Sequence, residues 1–131
     1  MIKKAEHVAL IVTDMERSIQ YYSSMFGYKL RTRGQSATRD MAFLYHDDQP
    51  GFEIELIRDL KPLGEYSDSG IVNHLAFTVE NIEEAMEYYR QKGVQFNSEK
   101  PNTAIDGAKT IFFHGPDREL LQFVQPNRER V

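Results

Sequence analysis

The chain has four histidines, and two of them open near-identical stretches: "HVALIV" begins at His7, and "HLAFTV" begins 67 residues later at His74. The same offset sets Glu55, in "FEIELI", over Gln122, in "ELLQFV". All four stretches alternate as strands do. Val8, Leu10 and Val12 fall on one side with His7, Ala9 and Ile11 on the other, and Ile54 and Leu56 fall opposite Glu55 as Leu121 and Phe123 fall opposite Gln122. If one pseudo-twofold operation relates the two copies, two imidazoles and two oxygen donors become mutually symmetric and can meet at one point. That donor set suits a borderline divalent ion such as Zn²⁺, Ni²⁺, Mn²⁺ or Fe²⁺. The absence of cysteine excludes thiolate ligands, thiol nucleophiles and disulfides. His46 and His114 are separated by 68 residues, so strand parity turns them to opposite faces, and both read as structural histidines.

These residues need a scaffold that repeats, and the repeat extends well beyond them. Ala9 matches Ala76, Val12 matches Val79, Asp14 matches Asn81, Glu16 matches Glu83, and Tyr21-Tyr22 matches Tyr88-Tyr89. Asp14 or Thr13 is placed to cap a first helix and Asn81 a second, with capping-box spacing from Thr13 to Glu16. Met15, Ile19, Tyr22 and Phe26 then recur at helical intervals, as do Ile82, Met86 and Tyr89. After Gly27 and Gly93 come strand-like runs at Tyr28 to Arg31 and Val94 to Asn97, then "MAFLYH" and "KTIFFH", then the two stretches holding Glu55 and Gln122. Each module therefore reads strand-helix-strand-strand-strand. The expectation is an α+β chain of two tandem βαβββ modules, about 1–58 and 71–131, joined by a linker at about 59–70 and forming one domain.

Composition sets the class of partner. A chain of 131 residues with net charge -4, pI near 5.6 and no basic run is not built to bind nucleic acid. No apolar run approaches the roughly 20 residues of a membrane span, and the start "MIKKAEH" leads directly into a strand. A cytoplasmic protein acting on small molecules is the expectation.

The duplicated modules, the histidine heading each first strand, "IEL" from Ile54 and "FFHGPDRELLQF" from Phe112 resemble the vicinal oxygen chelate superfamily, which includes glyoxalase I, methylmalonyl-CoA epimerase, extradiol dioxygenases and bleomycin resistance proteins. The resemblance covers essentially the whole chain. It implies a curved eight-stranded mixed sheet around a concave cleft, with one divalent ion, Zn²⁺ or Ni²⁺ favoured, on His7, Glu55, His74 and Gln122. Homodimers are common among such proteins, and the resemblance implies one here.

Two departures from the family pattern stand out. The turn usually written "GPDG" reads "GPDR", placing Arg118 where glycine takes a positive φ, and Gln122 replaces the usual Glu of the last strand. Glu119 has the wrong parity to replace it. The loss of that Glu weighs against three-ligand dioxygenases and fosfomycin enzymes. A four-ligand lyase or isomerase of glyoxalase type fits better, acting on a small carbonyl substrate such as a thiol adduct of a 2-oxoaldehyde through chelation and an enediolate. Glu55, the one carboxylate among the four residues, is then the catalytic base. A metal-free or weakly metallated binding protein like those of bleomycin resistance is the alternative, and an iron-dependent dioxygenase is a third reading. Arg31, Arg33, Arg39 and Lys100 are the candidates to meet an anionic group of the substrate, and the polar segments "RTRGQSATRD" and "SEKPNTAIDG" read as mobile edges of its pocket.

Overall fold

A computed structural model of the chain describes residues 5–61, 74–104 and 107–127. Most of the expected linker lies outside them. The chain divides into two compact units, Met1–Tyr66 and Ser67–Val131, and each holds a four-stranded mixed sheet and one helix. The architecture is α+β, with the eight strands divided equally between the two modules.

In the first unit, β1 (His7–Ile11), α1 (Met15–Phe26), β2 (Lys29–Gln35), β3 (Arg39–His46) and β4 (Gln49–Asp59) give the spatial order β1-β4-β3-β2. β1 runs parallel to β4, and α1 forms the crossover between them. Asp14 caps α1 by accepting from the Arg17 N–H at 3.0 Å, so Asp14 rather than Thr13 is the cap. Gly27 closes the helix at φ 77°, a left-handed position, and donates its N–H to the last carbonyls. Met15, Ser18 and Tyr22 are buried against Ala42, Leu44, Ile54 and Leu56, all of which have essentially no exposed surface. Burying each large apolar side chain contributes about 1.5–3 kcal/mol. The apolar stripe expected of α1 thus has Met15 and Tyr22 at its centre, with Ile19 and Phe26 half-buried at its margins.

The second unit repeats the plan. β5 (Leu75–Thr78), α2 (Ile82–Gln91), β6 (Asn102–Thr103), β7 (Lys109–His114) and β8 (Leu120–Gln125) give the order β5-β8-β7-β6, with β5 parallel to β8. Asn81 caps α2 through the Glu84 N–H at 3.1 Å, and Ile82 and Met86 are buried. The strand expected at Val94 to Asn97 is not formed. Phe96 makes one isolated bridge to Phe113, and the edge strand is the two-residue β6 further along the chain. Phe96 instead serves the core, its ring 5.5 Å from that of Phe113 and 6.0 Å from that of Phe123.

One loop differs from expectation and one follows it. "RTRGQSATRD" is largely a hairpin, with strand pairing up to Gln35 and a turn closed by Ser36 N–H donating to the Arg39 carbonyl at 2.8 Å. Arg118 does adopt φ 65°, the left-handed conformation that costs a side-chain-bearing residue about 1–2 kcal/mol. Two bonds hold it there: Arg118 N–H donates to the Gly115 carbonyl at 3.0 Å, and the Glu119 carboxylate accepts from the Asp117 N–H at 2.9 Å. No helix of the described residues is long and apolar enough to cross a membrane.

The first sheet is locked at one end by a carboxylate on its helix-packed side. Asp40 is 3% exposed, covered by arginine side chains rather than sunk in the core: Arg33 donates two hydrogen bonds to it, at 2.8 and 3.2 Å, and Arg58 lies 3.9 Å away. The Arg33 hydrogen bonds hold the Asp40 carboxyl below its ordinary pKa. A depressed folded-state pKa contributes stability that is complete above the unfolded value, about 4, and is lost as pH falls through the lower folded value. Asp40→Asn is expected to lower the unfolding free energy by about 2 kcal/mol at neutral pH. In urea titrations the difference between parent and variant should shrink as the pH is taken below about 4.

Candidate functional site

The central strand of the first unit carries the chemistry on the side away from α1. Register places Glu53 beside His7 and Tyr45, and Glu55 beside Ala9 and Phe43. Neighbours in register point to the same face, so His7, Glu53, Glu55, Phe43 and Tyr45 share the face opposite Ile54 and Leu56. The small Ala9 leaves the diagonal between His7 and Glu55 open, and His7 Nε2 stands 3.6 Å from Glu55 Oε1. The other ring nitrogen, Nδ1, is 3.2 Å from Glu6 Oε1. Phe43 meets the imidazole edge-on, with centroids 6.1 Å apart at 86°.

Glu53 is treated differently from Glu55. Arg31, at the bulge in β2, grips it with two hydrogen bonds of 2.5 and 2.9 Å and lays its guanidinium over Phe43, 5.2 Å from the ring centre. Glu53 raises the Arg31 pKa through those bonds, and the Glu6 charge adds to the effect. Other carboxylates of this unit are also matched to cations: Asp40 to Arg33, Asp59 to Arg39, and Asp47, in the β3–β4 turn, to Lys29. Glu55 is 13% exposed and, among the described residues, has no lysine or arginine within 4.0 Å. Its near neighbour is an imidazole nitrogen.

The second unit builds the same frame with neutral oxygen chemistry. Gln122 lies beside Ala76 and opposite Phe112, as Glu55 lies beside Ala9 and opposite Phe43. Phe112 meets the His74 ring edge-on at 5.4 Å and 87°. The position matching Glu53 is Leu120, and opposite it stands His114, exposed, where the first unit has Tyr45. Phe112 and Gln122 are separated by two residues fewer than Phe43 and Glu55, so across β3 and β7 the repeat offset is 69 rather than 67. His114 therefore shares the Gln122 face. His46 lies on the helix-packed side, where its Nδ1 accepts from the Asp48 N–H at 3.1 Å and its ring meets Tyr28, a structural role as expected.

The substrate-contact candidates separate by face. Arg33 lies on the helix side, bound to Asp40 and to Glu16 at 2.9 Å, and is a structural cation rather than one facing Glu55. Lys100 lines a cavity of about 350 Å³ beside the first turn of α2, with Asn81, Glu83, Lys109 and Gln125. Gln125 alternates with Gln122 to the helix side and accepts from the Ile82 N–H at 2.8 Å, so Lys100 also lies away from the Gln122 face. Of the four, Arg31 and Arg39 are on the side of Phe43 and Glu55, and each is paired to a carboxylate, Arg31 to Glu53 and Arg39 to Asp59 at 3.2 Å. The two phenylalanines, and Glu53 as the partner of the candidate Arg31, are not evident from sequence. Counting back from Glu55 and Gln122 through each hairpin locates Phe43 and Phe112, but only once the hairpin register is known.

Residues 6–112 match the family model described as glyoxalase/bleomycin resistance protein/dioxygenase superfamily. The chain belongs to that superfamily. It is 32% identical over 129 residues to the uncharacterized protein YwbC of Bacillus subtilis, covering 95% of this chain and 99% of that one. It is 27% identical over 124 residues to a lactoylglutathione lyase of Haemophilus influenzae, covering 91% and 90% of the two chains. The fold matches the crystal structure of a glyoxalase family protein from Enterococcus faecalis with a TM-score of 0.76 at 23% identity, over 93% and 97% of the chains. Proteins of the superfamily typically bind a divalent metal ion and small-molecule substrates, and often form dimers. In this member, no three His, Asp or Glu side chains among the described residues gather into one metal-holding group. His7 and Glu55 nevertheless fit one side of such a site, since two lone-pair donors face each other 3.6 Å apart and Glu55 has no lysine or arginine to compensate it among the described residues.

Proposed function

We propose that the protein is a metal-dependent lyase or isomerase of glyoxalase type, acting on a small carbonyl substrate such as the thiol adduct of a 2-oxoaldehyde. His7, Glu55, His74 and Gln122 are the ligands of one divalent ion per chain, Zn²⁺ or Ni²⁺ in preference, and Glu55 is also the base. The observation that carries this reading is the isolation of Glu55: its sheet supplies arginine or lysine to the carboxylates around it and only an imidazole to Glu55. The relationship to lactoylglutathione lyases supports the substrate class.

A bound divalent ion would supply electrostatic stabilisation to adjacent substrate oxygens as negative charge develops on them. Glu55 accepts the proton that leaves the neighbouring carbon and returns it to the next carbon. The Gln122 amide donates oxygen but cannot accept a proton, so one carboxylate makes both transfers. Two neutral imidazoles, an amide and a single carboxylate leave the site near about +1, which weakens retention of the ion and strengthens polarisation of the substrate. Phe43 and Phe112 pack on the two histidine rings and limit their rotation. A second reading, a small-molecule binding protein without bound metal, draws on the lack of a preassembled three-residue group among the described residues.

Protein purified without chelators should hold about one divalent ion per chain by elemental analysis, the ratio the four-ligand site requires. His7→Ala combined with His74→Ala should remove that ion and leave the far-ultraviolet circular dichroism unchanged. Full retention in the double variant would end the four-ligand assignment, and a metal-free parent that still binds small carbonyl compounds would favour the second reading. Glu55→Gln should retain some metal and lose turnover by about 10²-fold or more in a screen of 2-oxoaldehyde adducts of several thiols. Turnover at the parent rate would remove Glu55 from the role of base. The protein is further expected to be a homodimer, and a light-scattering mass of one chain at working concentration would contradict this.

A further inference from the structure

The proposed role of His7 depends on which of its nitrogens carries the proton, and the geometry at the head of β1 bears on that choice. A neutral imidazole has one N–H and one lone pair. Nδ1 is 3.2 Å from Glu6 Oε1, within hydrogen-bonding distance, whereas Nε2 is 3.6 Å from Glu55 Oε1, beyond it. The Nδ1–H tautomer therefore satisfies Glu6 and leaves the Nε2 lone pair on the Glu55 side. The opposite tautomer would set the Nδ1 lone pair against the Glu6 carboxylate. Phe43 packs edge-on against the ring and restrains the flip that would put Cδ2 and Cε1 in the places of Nδ1 and Nε2.

We propose that Glu6 is a positioning residue that holds His7 in the Nδ1–H tautomer, with its Nε2 lone pair free on the Glu55 side for a divalent cation. The inference rests on the metal-binding reading above and adds a residue outside the four-ligand set. A carboxylate on the far nitrogen of a ligating histidine fixes the ring and raises its basicity, and loss of such a partner typically costs about 10–100-fold in metal affinity.

Nitrogen-15 ring shifts of metal-free protein, recorded above the ordinary titration range of histidine, report the tautomer of His7 directly, with His74 as internal control. The parent should show Nδ1–H. Glu6→Ala should move His7, and not His74, toward a mixture with Nε2–H, and should weaken Zn²⁺ binding about 10-fold in calorimetric titration. Glu6→Gln keeps an oxygen acceptor at the same reach and should restore the Nδ1–H tautomer and much of the affinity. An imidazolium or an Nε2–H tautomer in the parent, or an unchanged tautomer in Glu6→Ala, would overturn the assignment. Because the shifts are read without metal, a parent that takes up no Zn²⁺ would defeat the metal-binding reading while the tautomer measurement still decides the role of Glu6.

Discussion

The pleat of β4 is the constraint from which the first unit follows. Ile54 and Leu56 turn to one side and are fully buried beneath α1, so Glu53 and Glu55 must turn to the other. A one-residue slip would bury two carboxylates against Met15 and Tyr22 and expose the core. Because β4 pairs with β1 on one side and β3 on the other, its register also fixes which residues flank each carboxylate: His7 and Tyr45 beside Glu53, Ala9 and Phe43 beside Glu55. β8 repeats this logic. Leu121 and Phe123 anchor it on the helix side, and Gln122 emerges between Ala76 and Phe112.

Duplication kept that frame and changed the chemistry mounted on it. The histidine, the alanine and the phenylalanine occupy matching places in both units, so the space around each imbedded oxygen donor is similar. The differences are in charge. The first unit presents Glu53 and Glu55, and the second presents Leu120 and Gln122 in the corresponding places. The corresponding faces of the two units therefore differ in charge, carrying two carboxylates in the first and none at the matching places of the second.

What could be read in advance depended on periodicity. Strands, helices and their core faces announce themselves through alternation and helical spacing, and Asp14 and Asn81 marked the helix starts correctly because a capping side chain acts locally. The Arg118 turn was legible for the same reason: a left-handed position in a short turn depends on a few consecutive residues. Phe96 misled because an aromatic in a β-prone run is equally suited to packing on Phe113 and Phe123 as to a ladder. The connection lengths were the larger obstacle. Two extra residues between the paired positions of the β3–β4 hairpin change the offset from 67 to 69 across one strand pair, which hides the equivalence of Tyr45 with His114 and of Phe43 with Phe112. Arg33 and Lys100 looked like free cations because sequence shows a charge without its partner; Asp40 and Glu16 account for Arg33, and the side of the sheet, not the type of residue, separates both from Glu55.

The clamp on Glu53 bears on why Glu55, rather than Glu53, is the carboxylate proposed as base. Two carboxylates two residues apart on one face repel each other, and a cation entering such a pair would be drawn to both. Arg31 removes one from competition by occupying both Glu53 oxygens in a fork that lysine could not match. Its guanidinium is at the same time stacked on Phe43, the ring that packs against His7, so the clamp and the orientation of the imidazole share a support. With Glu53 compensated, the two carboxylates in reach of His7 are Glu6 on Nδ1 and Glu55 on the side of Nε2, neither paired to lysine or arginine among the described residues. The imidazole stands between a carboxylate close enough to hydrogen-bond and one just beyond that distance. That unequal spacing gives the two nitrogens different tasks, with Nδ1 engaged by the protein and Nε2 left facing the position where a cation would relieve the opposition of two lone pairs.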